Sequence, residues 1–274
     1  MTRHSTFDPQ ALDDQALEAH PQFASTVAAG LAVLSCFRSG GPLLGNKEIA
    51  DRLQLTRPTI SRLTFTLVGL GYLRKDPATG KYALGPAILT LGYPMLLELG
   101  VRRVAAPEMM ELACHARGSI SVGTRDRQQI VYVETVHGDS PNLSRPDVGV
   151  TRPILRTAIG RAILHATPAA ERELLEARLQ RSFPEDWEKF RPAIVQAHQQ
   201  IDQHGYCAAI GEWRSGLSAV AAPLRKRVHG LPLAINLTVP SFSTSPEQLA
   251  DDLGPRLVAL VRGVEYKLGL NEGG

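Results

Sequence analysis

The stretch LGNKEIADRLQLTRPTISRLTFTLVGLGYLRKDPATGKYALG, residues 44–85, decides the fold of the N-terminal part of this chain. A short helix is predicted after Asn46, a plausible N-cap residue. A longer helix is predicted to follow the turn at Thr56, whose hydroxyl can cap it, and Pro58 is tolerated in its first turn. Two helices joined by so short a turn predict a helix-turn-helix.

Flanking signals extend this pattern in both directions. An earlier helix is predicted over residues 24–37, where apolar side chains recur at helical spacing and a Gly-Gly-Pro run follows. After Gly71, residues 72–75 and 81–84 are predicted strands, joined by a five-residue turn. The whole segment therefore predicts a winged helix-turn-helix with a basic hairpin as its wing.

The longer helix has a face suited to the major groove of DNA. The spacing of four apolar side chains predicts a buried stripe, made of Ile60, Leu63, Leu67 and Leu70. The residues predicted to point outward or to the flank are Pro58, Thr59, Ser61, Arg62, Phe65 and Thr66. An arginine can bond bidentately to guanine, hydroxyls can bond base edges or phosphates, and an aromatic edge can pack on a thymine methyl.

The expected DNA contacts include both the helix and the wing. Arg74, Lys75 and Lys81 are predicted to hold flanking phosphates, since they lie on the hairpin. The full set of predicted DNA contacts is Lys47, Thr56, Arg57, Pro58, Thr59, Ser61, Arg62, Phe65, Arg74, Lys75 and Lys81. Two alternatives are a helical bundle with a solvated basic face, and a winged helix that binds protein and shows no salt-dependent DNA binding.

The distribution of charge favours a separate DNA-binding module. Residues 21–85 contain eight Lys or Arg and three acids, whereas the whole chain of 274 residues carries a net charge of only +3. Residues 1–20 contain one Arg and four acids and are predicted to form a flexible tail. A basic segment beside a nearly neutral remainder is typical of a nucleic-acid-binding unit attached to another domain.

The rest of the chain predicts an α+β domain. A helical pattern over residues 86–117, interrupted at Pro94, Gly100 and Pro107, is interpreted as a linker helix followed by the first helix of that domain. Later strands are predicted at residues 119–123, 130–137, 206–210, 217–224 and 233–239, and later helices at 158–166, 169–180, 187–203 and 246–268. The expected boundaries are a tail at 1–22, a winged helix-turn-helix at 23–85, a linker at 86–103 and a second domain at 104–270.

These segments resemble IclR-type transcriptional regulators. The N-terminal matches are Glu48-Ile49-Ala50, residues 59–67 (TISRLTFTL), residues 70–73 (LGYL) and residues 82–85 (YALG). The C-terminal matches are residues 157–162 (TAIGRA), Gly205-Tyr206, Glu212, residues 216–223 (GLSAVAAP) and residues 233–240 (LAINLTVP). The resemblance covers about residues 23–270, and the order and spacing of the motifs make it specific.

The resemblance implies a fold, partners and a ligand site. It implies a winged helix, a linker helix and a GAF-like effector-binding domain with a central antiparallel sheet. It also implies dimers or dimer-built tetramers on pseudo-palindromic operators, and an effector that is a small organic acid or aromatic metabolite. Carried over from the family, the effector-binding residues are Thr157, Ala158, Gly160, Cys207, Ala209, Ala219, Asn236 and Thr238.

Two of these positions depart from the family pattern. Relatives that bind small oxoacids tend to have an acid where Ala209 stands and a cysteine where Ala219 stands, so a bulkier or more apolar ligand is expected here. Gly160 is equally explained by a tight turn and Cys207 by ordinary core packing. Glu212 and Trp213 fit either the rim of a pocket or a dimer surface, and the sequence does not separate these.

Other classes of protein find little support in the sequence. The chain has no GxSxG, P-loop, HExxH or dinucleotide fingerprint, so an enzyme is not expected, and no cofactor is expected. Its three cysteines are far apart and its histidines scattered, so no metal site is expected. No apolar run is long enough to span a membrane, and no export signal is recognised, so a cytoplasmic protein is expected.

Overall fold

The computed structural model describes residues 14–37, 40–139 and 145–270. The chain divides into two compact units, residues 1–95 and 96–274. Most of the predicted N-terminal tail lies outside the described residues. Its described end contains a short helix, α1 (Asp14–Glu18).

The N-terminal unit is a three-helix core with a two-stranded wing. Its helices are α2 (Ser25–Ser35), α3 (Asn46–Leu53) and α4 (Arg57–Gly69), and its antiparallel strands are β1 (Leu73–Lys75) and β2 (Tyr82–Leu84). The buried side chains that join them are Val33, Leu44, Ile49, Ala50, Ile60, Leu67, Leu73 and Tyr82. The predicted winged helix-turn-helix is confirmed.

The start of α3 differs from the prediction that Asn46 caps it. The capping residue is Gly45, whose N–H donates to Glu48 Oε2 at 3.1 Å. Asn46 is the first helical residue, and its Oδ1 lies 3.1 Å from the Thr64 hydroxyl of α4. A side chain used to tie α3 to α4 is therefore not available for capping.

The buried stripe of α4 is shifted from the predicted one. Thr64 is fully buried, whereas Leu63 is only partly buried and Leu70 is 62% exposed. Leu70 lies roughly 80° around the helix from Ile60 and comes after the last helical residue, so it no longer faces the other helices. The Thr64 hydroxyl donates within its own helix, to the Ile60 carbonyl, which makes its burial tolerable.

A helical stretch follows the wing. It forms two helices, α5 (Ala87–Leu99) and α6 (Val101–Ala116), and each contains its proline without ending there. The break falls at Gly100, which adopts a left-handed conformation with φ of 63°. Among the three predicted interruptions, only the glycine therefore separates helices, because it accepts positive φ without strain.

The C-terminal unit contains a six-stranded antiparallel sheet. Its strands are β3 (Ser119–Asp126), β4 (Gln129–His137), β5 (Thr151–Pro153), β6 (Cys207–Ile210), β7 (Leu217–Pro223) and β8 (Leu233–Pro240), in the spatial order β5-β4-β3-β8-β7-β6. Five of them were predicted. The edge strand β5 was not, because three residues containing a proline give no alternation to recognise.

Helices cover both faces of this sheet. One core joins α6 and α11 (Gly254–Lys267) to the sheet, and a second joins the other face to α7 (Ala158–Ala166), α8 (Ala169–Ser182) and α9 (Pro184–His204). The predicted terminal helix is interrupted, since a helical turn, α10 (Pro246–Gln248), and a π-helical segment at Leu249–Leu253 precede α11. The predicted α+β class is confirmed. Among the described residues, no helix combines the length and apolarity needed to cross a membrane.

Candidate functional site

Helix α4 presents the predicted polar and aromatic face. Thr56 caps the helix, and its Oγ1 lies 3.4 Å from the Thr59 N–H and 2.9 Å from the Thr59 hydroxyl. Arg62 is exposed, and Phe65 is 82% exposed. An aromatic ring left in water on a helix that also carries an exposed arginine is a surface suited to contact with another molecule. The remaining predicted residues of this face, Arg57, Pro58 and Ser61, are exposed as well.

The predicted basic contacts near α4 are not equivalent. Lys47, Arg74 and Lys75 are exposed. Lys81 instead forms an ion pair with Glu48 of α3, with Nζ 2.6 Å from Oε1, and this contact holds the pKa of Glu48 below its ordinary value. The charge of Lys81 is therefore already compensated in the folded protein.

In the C-terminal unit, the sheet and the start of α7 line a cavity with about 540 Å³ of empty space, part of it open to solvent. Clefts at such a junction are common sites for small molecules. The lining is mostly apolar, with a few polar groups converging on it. Among the described residues it consists of Tyr132, Pro146, Arg152, Arg156, Thr157, Ala158, Ile159, Ala209, Trp213, Leu217, Ser218, Ala219, Asn236 and Thr238.

The alternation of side chains along β8 decides which of them form the floor of the cavity. Along β8, Leu233, Ile235 and Leu237 pack into the α6–α11 core, so the alternate side chains Asn236 and Thr238 face the cavity. Antiparallel pairing of β6 with β7 places Ala209 directly opposite Ala219. The two alanines at which the sequence departs from the pattern of the family it resembles therefore lie side by side in the lining.

The N-terminus of α7 forms one wall. Thr157 caps the helix by accepting from the Gly160 N–H at 3.2 Å, and its hydroxyl donates to the Pro153 carbonyl at 2.8 Å. Thr157, Ala158 and Ile159 line the cavity. The first N–H groups of a helix and its dipole favour a negative charge nearby.

Gly160 and Cys207, two of the predicted effector contacts, are not among the lining residues. A Cβ at Gly160 would lie 1.9 Å from the Ile154 carbonyl oxygen, so the glycine is needed for close packing of two backbone segments. Cys207 is fully buried against α7, with its Sγ 3.5 Å from the Ala158 carbonyl, and burial raises the pKa of its thiol to about 12. A neutral buried thiol in this position is a packing group.

Asn236 is the most confined polar group of the cavity. It is 4% exposed, and its Nδ2 donates to the Thr238 hydroxyl at 2.9 Å. Its Oδ1 accepts no hydrogen bond from any described residue. Since buried acceptors normally have a donor, a ligand hydroxyl or amine is well placed to supply one.

A stack of aromatic and cationic side chains forms another part of the lining. The guanidinium carbon of Arg152, on β5, lies 5.3 Å from the centre of the Tyr132 ring and 4.5 Å from that of Trp213. Burial lowers the pKa of Arg152 from its usual value and raises that of Tyr132. These are distances typical of cation–π contacts.

A buried ion pair connects α7 to the turn that carries Trp213. Arg161 is 1% exposed, and its Nη1 donates to Glu212 Oε1 at 2.9 Å, with a second contact from Nη2 to Oε2. Glu212 and Trp213 were expected at either a pocket rim or a dimer surface. Trp213 lines the cavity, and Glu212 links this turn to the helix behind it.

Several lining residues have no signal in the sequence. Tyr132, Arg152 and Arg156 lie outside the motifs of the family resemblance, and β5, which carries Arg152, was not predicted. The alternation along residues 130–137 places Tyr132 on a sheet face but does not show which face is hollow. Within the described residues, no cluster of three or more His, Cys, Asp or Glu could hold a metal ion.

Comparisons with known proteins agree with this architecture. Residues 26–77 match the IclR helix-turn-helix domain, and residues 94–265 match the C-terminal domain of bacterial IclR transcriptional regulators. The HTH-type transcriptional regulator TsaQ1/TsaQ2 of Comamonas testosteroni is 32% identical over 93% of this chain and 92% of that protein. The solved structure of an IclR family transcriptional regulator from Brucella abortus is 39% identical, with a TM-score of 0.81 over 95% of this chain and 98% of that one.

A more distant structure contains a ligand. The IclR homologue from Microbacterium hydrocarbonoxydans, solved in complex with 4-hydroxybenzoate, is 21% identical, with a TM-score of 0.71 over 90% of this chain and 100% of that one. At this identity the likeness shows the fold alone. The family matches span most of the sequence, and the chain belongs to the IclR family of DNA-binding transcriptional regulators.

Proposed function

We propose that this regulator binds a pseudo-palindromic operator through α4 and the wing, and that a small metabolite in the C-terminal cavity changes its operator affinity. The observation that carries the proposal is the coexistence, in one chain, of an exposed Arg62–Phe65 face and a half-closed, partly polar cavity. A regulator of this kind acts where its operator lies, in the cytoplasm.

In this proposal α4 enters the major groove. Arg62 bonds a base edge, Phe65 packs on a thymine methyl, and Thr59 and Ser61 bond bases or phosphates. Lys47, Thr56, Arg57 and Pro58 contact the phosphate backbone beside the groove, with Arg74, Lys75 and Lys81 of the wing. The exposure of the α4 face and its fixed capping geometry support this assignment.

A pseudo-palindromic operator requires at least a dimer. Helix α2 and its N-cap residue Ala24 expose one apolar row at helical spacing, in which Val27 is 62% and Leu31 57% exposed. Helix α5 also exposes large apolar side chains, among them Leu89 at 72% and Leu97 at 62%. Such surfaces are typical of contacts between copies, and they support self-association as a dimer or a dimer-built tetramer.

The effector in this proposal is a small organic acid or an aromatic compound. The α7 N-terminus favours an anionic group, and the paired alanines Ala209 and Ala219 leave room for a bulky one. The complex of the Microbacterium homologue with 4-hydroxybenzoate is consistent with an aromatic acid in a cavity of this fold.

The decisive experiment selects bound duplexes from a random DNA pool with the full chain. We expect an inverted repeat whose affinity falls steeply with salt. Arg62→Ala should lose about 1–3 kcal/mol on the selected operator and little on random DNA. Equal losses on both would instead make Arg62 a phosphate contact.

The same operator then tests the effector. Metabolites that raise the melting temperature of the protein are added to the DNA-binding assay, since a ligand at 100 times its dissociation constant adds about 2.7 kcal/mol of stability. At least one stabilising metabolite should change operator affinity. If every stabilising metabolite leaves it unchanged, the regulatory part of the proposal is wrong.

A further inference from the structure

The cavity contains a positive charge that the described residues do not neutralise. Arg156, also in the lining, pairs bidentately with Asp186 at 2.7 Å for both contacts, and Arg161 pairs with Glu212. Arg152 forms no ion pair with any described carboxylate. Its Nη1 donates to the Thr151 carbonyl at 2.9 Å, and its side chain also contacts the Tyr132 hydroxyl. A guanidinium has five N–H donors, so donors remain for a ligand.

A second arginine strengthens the positive field at this end of the cavity. Arg214 lies over the Trp213 ring at 4.4 Å and Arg152 lies over it at 4.5 Å, so two guanidinium groups contact one indole. Within the described chain, Arg214 also lacks a carboxylate partner. Arg214 is exposed and solvated by water, so the partly buried Arg152 is the cation that gains most from an anion in the half-closed cavity.

The position of Arg152 beside two rings favours a flat ligand. Its guanidinium carbon lies within cation–π distance of both Tyr132 and Trp213, and its remaining N–H donors can bond a carboxylate bidentately. The body of such a ligand would meet Tyr132, Ala209 and Ala219, an aromatic face and two small side chains. This surface matches an unsaturated ring better than a short oxoacid.

At the floor of the cavity, Asn236 favours a ligand that carries a hydrogen-bond donor. Its Oδ1 is a buried acceptor with no described donor, while its amide nitrogen is already used by Thr238. A hydroxyl on the ring would supply the donor.

Building on the proposed function, we propose that the effector is an aromatic carboxylate, that Arg152 selects its charge, and that Asn236 selects a hydroxyl on its ring.

The test uses the full chain and isothermal calorimetry with three kinds of probe. These are benzoate and the three monohydroxybenzoates, the neutral analogue benzamide, and the non-aromatic acid cyclohexanecarboxylate. We expect benzoate to bind at least about tenfold more tightly than benzamide or cyclohexanecarboxylate, and at least one hydroxybenzoate to bind more tightly than benzoate.

Variants test the proposed roles of Arg152 and Asn236. Arg152→Gln should weaken benzoate binding about tenfold or more and leave benzamide unchanged, and Arg152→Lys should restore part of the loss. Arg214→Gln, which removes the other cation that contacts the Trp213 ring, is the matched control and should have a smaller effect. Asn236→Leu should remove the preference for the best hydroxybenzoate over benzoate. Circular dichroism and melting temperatures show whether each variant is folded.

The outcomes separate this inference from the proposed function. If no aromatic acid binds, if benzamide binds as tightly as benzoate, or if folded Arg152→Gln binds benzoate normally, the inference is wrong. A neutral or aliphatic ligand that changes operator affinity would overturn the inference and leave the proposed function standing. Aromatic acids that bind through Arg152 without changing operator affinity would support the inference and overturn the proposed function.

Discussion

At Gly160 the backbone of α7 lies so close to Ile154 that a single methyl group cannot fit, since its carbon would be 1.9 Å from a carbonyl oxygen. The contact fixes the N-terminus of α7 against the segment that leads from β5. Arg152 lies on β5 and Thr157 caps α7, so this packing fixes the spacing between the charged and dipolar walls of the cavity. Gly160, which the family resemblance assigned to the effector site, packs two backbone segments together beside the cavity and does not line it.

The Arg161–Glu212 pair allows a prediction at the same scale. Glu212→Gln should lower the free energy of unfolding of the C-terminal unit by about 3 kcal/mol, because it leaves the buried guanidinium without a counter-charge. Both tryptophans of the chain, Trp187 and Trp213, belong to this unit, so urea unfolding followed by tryptophan fluorescence measures the change.

The matched control is Asp186→Asn, which breaks a pair of similar geometry. Its arginine, Arg156, has a side chain 46% exposed, so solvent compensates most of the loss and we expect less than about 1 kcal/mol. Equal losses in the two variants would mean that burial of Arg161 does not decide the stability of this pair.

At the scale of elements, the wing is held by a hydrogen-bonded turn at its tip and by the ion pair between Lys81 and Glu48 of α3. Asp76 closes the turn by accepting from the Thr79 N–H at 2.9 Å, and the Thr79 hydroxyl contact holds the pKa of Asp76 below its ordinary value. Leu44 then pairs with Tyr82 as an additional bridge beside the hairpin. Together these contacts fix the direction in which the wing lysines extend.

The two wing lysines should therefore differ in DNA binding. Lys75→Gln should reduce the slope of log affinity against log salt by about one, as for a lost phosphate contact. Lys81→Gln should reduce it less, because Glu48 already neutralises Lys81 in the free protein. Fluorescence anisotropy with the selected operator at several salt concentrations measures both slopes. A larger reduction for Lys81→Gln would show that its ion pair opens on DNA.

Whether an element can be predicted from the sequence depends on how far apart along the chain its stabilising contacts lie. Capping by Thr56 and the hairpin after Gly71 act within a few residues, and both were predicted. The burial of Thr64 was not predicted, because its partner Asn46 is 18 residues away. Strand β5 was missed for a similar reason, since it is held by pairing with β4 rather than by its own pattern.

At the scale of the whole molecule, the exposed apolar row on α2 gives a prediction about assembly. Leu31→Lys should shift the protein toward the monomer, because a charge would have to be buried in the proposed contact. Sedimentation velocity measures the change, and operator affinity should fall with it. Leu174→Lys, which changes a leucine of α8 with 62% exposure, is the control. If Leu31→Lys leaves the assembly intact, the α2 row is not the contact between copies.

The sequence by itself determined the winged helix-turn-helix, the outward face of α4 and the order of most strands, because periodicity and capping are local properties of the chain. Through the family resemblance it also assigned Ala209, Ala219, Asn236 and Thr238 to one predicted effector site, and all four line the same cavity. Only the tertiary structure decided that Arg152 contacts both Tyr132 and Trp213 and that Arg161 binds Glu212, 51 residues away. Such contacts depend on which strands become neighbours, and the hydrophobic pattern that drives burial carries no information about which charges remain unpaired.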